Sequence, residues 1–115
     1  EPSSVVLPRL VGTTVDAAFV DGSHRFHEVF LDLYYLRKIV RPGGLVILDD
    51  DWTSSVRTAV RYYERNLGWQ PLTKAFADGT LRHLNDDPDA DLVPRCRALR
   101  LPDLAEPRFE DFVPF

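Results

Sequence analysis

A chain of 115 residues, 44% hydrophobic and 28% charged, has the make-up of one globular domain with its own core and is too short for two. Its net charge of −4 and pI near 5.3 speak against a nucleic-acid partner, because a phosphate-binding face needs a basic balance. A single cysteine, Cys96, excludes an internal disulfide and fits a reducing compartment. No apolar run approaches the roughly 20 residues that span a bilayer, and no segment has the make-up of a signal peptide. A cytoplasmic protein without a membrane partner is expected. The chain opens on Glu1 and contains no methionine, so a segment upstream of residue 1 is expected too.

In residues 1–13, Ser3 or Ser4 can cap a short helix whose apolar side is Val5, Val6, Leu7 and Leu10, and Pro8 limits it to about one turn. Gly12 and Thr13 make a turn. VDAAFV (15–20) is apolar apart from Asp16, which suits a strand covered on both faces of a parallel sheet. Asp21 ends it, Gly22 permits a tight turn with the backbone close to a ligand, and Ser23 can cap the next helix.

From residue 24 to 40 the spacing is helical, with Phe26, Val29, Phe30, Leu33, Leu36 and Val40 on one face and Arg25, Glu28 and Asp32 opposite. Arg37, Lys38 and Arg41 complement the dipole at its end. Pro42 stops the helix and Gly43-Gly44 turns the chain. LVIL (45–48) is a second buried strand, ending in Asp49, Asp50 and Asp51.

A third helix starts at Thr53 or Ser54, with Val56, Ala59, Val60, Tyr63 and Leu67 inward, and stops at residues 66–68. Residues 69–76 suit an edge strand, since Pro71 cannot donate to a central ladder. Residues 77–94 look like a polar loop whose aspartates face solvent. RCRALRL (95–101) alternates as a strand and can pair antiparallel with its predecessor. The tail, 102–115, should lack regular structure and pack back through Phe109, Phe112 and Phe115. The whole is one α/β domain with a core over 14–101.

The strand–helix–strand stretch from 15 to 51 should form a parallel pair joined by a right-handed crossover, so that both strands end at one edge. Open parallel sheets bind ligands at that carboxyl edge. Asp21, Asp49 and Asp50 there could give Mg²⁺ a half-open oxygen shell, although strand-end aspartates also simply cap helices. Asp51 should face solvent or cap the third helix. His24, three residues after Asp21, could take a proton from a substrate hydroxyl, could ligate a metal, or could be a polar residue of the first helical turn. His27 reads as structural, and a zinc site from Asp21, His24 and His27 lacks the usual thiolate and histidine set. Arg57, Arg61 and Arg65 form a stripe that suits an anion or, more simply, solvent. Trp52 can wall a pocket or pack in the core. Cys96, with no histidine beside it, is given no catalytic role.

The combination of Asp-Gly-Ser-His at 21–24, Arg-Pro-Gly-Gly at 41–44 and the acidic pair at 49–50 resembles the second half of the Rossmann-like S-adenosylmethionine-dependent methyltransferases, particularly their small-molecule O-methyltransferase group, over about residues 5–101. The resemblance implies a partial three-layer Rossmann-like sandwich whose last two strands form an antiparallel hairpin. It implies Asp21, Asp49 and Asp50 as Mg²⁺ ligands, His24 as base, and a small-molecule acceptor. Some relatives carry Asn where this chain has Asp50. Such enzymes hold the cofactor mainly through a glycine-rich turn in their first half, and this chain has none, since Gly43-Gly44 enters a strand instead of leaving one. The chain is therefore expected to be the C-terminal half, poorly active alone. A rival reading is a non-catalytic half-domain that forms a homodimer through its bare first strand. A phospho-acceptor receiver domain ranks last, because it needs the acidic pair after its first strand.

Overall fold

In the computed structural model, which describes residues 2–115, the chain opens with helix α1 (Ser3–Leu10) and strand β1 (Val15–Val20). Helix α2 (Phe26–Ile39) then crosses to β2 (Val40–Asp49). The two strands run parallel, with Ala17 beside Leu45 and Val20 beside Leu48. Helix α3 (Ser54–Leu67) follows, then β3 (Gln70–Pro71), a small antiparallel hairpin of β4 (Leu81–His83) and β5 (Leu92–Pro94), and β6 (Cys96–Arg100). The main sheet has the order β1-β2-β6-β3, with β6 antiparallel to both neighbours. This is a mixed α/β architecture consistent with a partial Rossmann-like fold.

The core follows from the two helical periods. Val29, Leu33 and Leu36 of α2 and Val56, Ala59, Val60 and Tyr63 of α3 meet Val46 and Leu48 of β2 and Leu99 of β6, all buried. Burying one such aliphatic side chain is worth about 1.5–3 kcal/mol. Tyr63 keeps its hydroxyl satisfied inside this core by donating to the Phe30 carbonyl at 2.6 Å. Gly68, at φ 73°, ends α3 in the left-handed conformation that glycine tolerates.

Several expectations are corrected. Pro8 lies inside α1, which runs on to Leu10, because the ring removes one hydrogen bond while the helix rests on α2. Neither serine caps it; the Ser3 hydroxyl instead donates to Asp32 at 2.6 Å. The α2 helix starts at Phe26, two residues later than its spacing suggests, and the Ser23 hydroxyl accepts from the Arg25 backbone N–H. Only one side of β1 is covered: Phe19 is 58% exposed and the strand ends the sheet. RPGG forms a bulge within β2 instead of a turn before it, with Val15 paired to Val40 but Ala17 to Leu45.

β3 is only two residues long, and the expected loop at 77–94 contains the β4–β5 hairpin. Its aspartates at 86, 87, 89 and 91 are exposed as expected. Phe115 packs on Tyr62 at 5.3 Å, whereas Phe109 is 97% exposed. The tail is tied down mainly by Arg37, which donates to Glu106 at 2.8 Å, and by Asn66, which bonds both backbone groups of Val113.

Candidate active site at the end of the parallel pair

β2 delivers Asp49 and Asp50 to the carboxyl edge as its ladder ends. Asp49 lies opposite Cys96 in the β2–β6 register, which puts the neighbouring Arg95 over it. Arg95 donates to both carboxylate oxygens, Nε at 2.9 Å and Nη2 at 3.1 Å. Burial pushes the Asp49 carboxyl up, but the Arg95 hydrogen bonds and charge outweigh it and hold the group below the usual carboxylate range.

The next residue, Asp50, sits at φ 62°. Its carbonyl accepts from the Thr53 N–H and hydroxyl. Its carboxylate accepts from Trp52 Nε1 at 2.9 Å and meets His24 Nε2 at 2.8 Å. The Ser55 hydroxyl donates to the His24 carbonyl, fastening the β1–α2 loop to the first turn of α3. Residues 26 apart in sequence are thereby joined, and the imidazole is left half exposed.

Asp21 does not join them. It is exposed and lines a hollow of about 380 Å³ beside β1 with Ser3, Ser23, Glu28, Asp32 and Leu36, whereas Asp49 lines one of about 280 Å³ with Phe19, Phe76, Arg95 and Cys96. Among the described residues, no three histidine, cysteine, aspartate or glutamate side chains stand close enough to hold a metal ion. With Asp49 engaged by Arg95 and Asp50 by His24 and Trp52, the donor set at Asp21, Asp49 and Asp50 does not fit Mg²⁺ as arranged.

Asp51 departs furthest from expectation. It neither faces solvent nor caps α3; it is 3% exposed, with Oδ2 at 3.4 Å from Arg57 and 3.6 Å from Arg97. Arg97 is closer to Glu64, at 2.9 Å. Burial outweighs both arginines and pushes the Asp51 carboxyl up to about 6. Trp52 works at the site as an indole donor to Asp50, with the Arg82 guanidinium 5.8 Å from its ring.

Arg95 and Arg97 were not marked by sequence reasoning. The only signal was their alternation in a strand, and strand alternation does not say which neighbour lies opposite. The histidine–carboxylate pair can orient an imidazole for proton transfer, the general arrangement of a base positioned by a third group.

Comparison with known proteins adds one finding. No curated protein and no solved structure matches the chain. The stretch that runs through α1, β1, α2 and β2 to just past the strand end, and carries Asp21, His24, Asp49 and Asp50, does find a match: residues 1–51 match the model of a methyltransferase domain, which supports methyltransferase activity in general and with it a cofactor of the S-adenosylmethionine type.

Proposed function

We propose that this chain supplies the acceptor side of an S-adenosylmethionine-dependent methyltransferase that transfers the methyl group to a hydroxyl of a small molecule. The observation that carries the proposal is the His24–Asp50 contact of 2.8 Å at the carboxyl edge of the parallel pair, within the stretch that matches the methyltransferase domain.

An ionised carboxylate only accepts hydrogen bonds, so His24 donates from Nε2, which in the neutral ring leaves the lone pair on Nδ1. Nδ1 takes the proton as the O–H bond of the acceptor breaks and its oxygen forms the new bond to carbon. Asp50 stabilises the imidazolium that results. Asp50 is itself held by Trp52 and approached by Arg95 Nε at 3.4 Å, and that guanidinium favours negative charge developing on the acceptor oxygen. S-adenosylmethionine, when bound, supplies the electrophilic methyl group.

Asp21 and Ser23, in the acidic hollow beside β1, have the chemistry to hold hydroxyl or ammonium groups of a cationic cofactor. The described residues carry no glycine-rich turn after either parallel strand, so they fit one end of such a cofactor. No step is routed through a metal ion.

Thermal melting with S-adenosylmethionine tests this. A ligand held only by the folded state stabilises it by about 2.7 kcal/mol at a hundredfold excess over Kd, so the midpoint should climb and saturate, and Asp21→Ala should abolish the climb. No shift at any cofactor concentration overturns the proposal.

The exposed edge favours a second reading. β1 ends the sheet with Phe19 open to solvent, which suits a non-catalytic module pairing with a second copy. A dimer in sedimentation that Phe19→Lys dissociates, together with no cofactor shift, would favour that module.

A further inference from the structure

Behind the strand-end acids lies a third hollow that plays no part in the proposed methyl transfer. It measures about 160 Å³ and is lined by Asp51, Arg57, Arg97 and Thr73, with Leu72 and Val93 among its apolar walls. Asp51 and Asp49 serve different hollows, with Cys96 between them.

Two features make it more than a crevice. Asp51 Oδ1 is fully buried and has no hydrogen-bond partner, although its residue is 3% exposed and lines the hollow. An unpaired buried acceptor of this kind costs on the order of 1–3 kcal/mol, which a donor in the hollow recovers when the Asp51 carboxylate turns to meet it. The cations around it are also incompletely engaged: Arg57 meets Asp51 at the long distance of 3.4 Å, and its side chain is 25% exposed. A guanidinium has five N–H donors in a planar fork that matches a carboxylate, so most of those of Arg57 remain for something else.

We propose that this hollow is a binding site for a small carboxylate bearing a hydrogen-bond donor, hydroxyl or ammonium, on its α-carbon. The ligand's donor meets Asp51 Oδ1, its carboxylate spans to the Arg57 guanidinium, and a short apolar substituent rests on Leu72 and Val93. The ion pair between Arg97 and Glu64 stays intact and holds Arg97 at the wall of the hollow. The charges of Asp51, Arg57, Arg97 and Glu64 sum to zero, so an amino acid, whose ammonium offsets its carboxylate, enters without leaving a net buried charge, whereas a hydroxy acid sets its carboxylate against the exposed side of Arg57.

Titration of the chain with lactate, L-alanine and propionate, followed by amide NMR shifts, tests the site. Lactate or L-alanine should shift signals around Asp51, Arg57 and Val93 saturably, with a Kd on the order of 1 mM for so small a ligand. Propionate, which lacks the α-donor, should bind at least about tenfold more weakly, the effect of one buried polar contact. Lactate saturating and not L-alanine identifies a hydroxy acid, and the reverse an amino acid; both support the site. Arg57→Gln, at a partly exposed position, should weaken binding about tenfold, and Asp51→Leu should abolish the preference over propionate. Equal binding of propionate, no saturation by any of the three, or unchanged affinity in Arg57→Gln overturns the proposal.

Discussion

Asp50 holds a left-handed backbone angle, φ 62°, that costs a non-glycine residue on the order of 1 kcal/mol. Its carbonyl is held by Thr53 and its carboxylate by Trp52 and His24, so the strained geometry is over-determined, as strain at working sites usually is. The neighbouring Asp51 makes a test in pH. It titrates at about 6 instead of 3.8 because burial raises it. The native chain therefore binds that proton more tightly than the unfolded one. Its contribution to stability is full below the unfolded value and is lost as pH rises through 6; above that it stays flat. A shift of this size corresponds to roughly 3 kcal/mol. Urea melts should show a decline between about pH 4 and 6 that Asp51→Asn removes; an unchanged slope in the variant would mean that Asp51 is not buried as described. None of this was legible in a run of three aspartates. Asp51 is fixed by Arg57 on a helix and Arg97 on a distant strand, and burial of that kind depends on tertiary pairing.

At the scale of the element, α2 was legible almost to its ends. Val29, Leu33 and Leu36 recur at the helical period and are buried, joined by Arg37 and Ile39, whereas Phe26 of the same expected face is exposed. The Arg-Pro-Gly-Gly segment was legible as irregular but not as a bulge. There Gly43 donates its N–H to the Leu101 carbonyl at 2.7 Å. A Cβ on Gly44 would come within 2.6 Å of the Asp16 carbonyl oxygen and 2.8 Å of that of Arg41. Both are backbone atoms and cannot rotate away, so Gly44→Ala should cost about 1–3 kcal/mol, as overpacking does. A denaturation midpoint equal to wild type would show that β1 and the bulge do not meet this closely. The β4–β5 hairpin escaped sequence reasoning because each strand has only three residues, too few for alternation to show. The turn between them relies on Asn85 and Asp86 at positive φ, which polar residues permit without announcing.

Across the whole molecule, the parallel pair and the antiparallel approach of the last strand were both readable from hydrophobic runs and their connections. The placement of β6 between β2 and β3 was not, since neither run says which neighbour it takes. That placement matters, because it sets Arg95 over Asp49 and Arg97 beside Asp51. The same sheet order leaves β1 at an open edge with Phe19 exposed, where either a second copy or further chain could add a strand. The family match covers the parallel half, and the His24–Asp50 pair within it is where we propose the chemistry. Transfer of labelled methyl from S-adenosylmethionine to a small hydroxyl acceptor tests that assignment most directly, with wild type, His24→Gln and Asp50→Asn compared in parallel. The account predicts transfer by wild type that falls about 100-fold or more in His24→Gln, the loss expected for a general base, and by a smaller factor in Asp50→Asn. Weak transfer by wild type is enough for the comparison, and transfer that both variants retain in full would contradict the account.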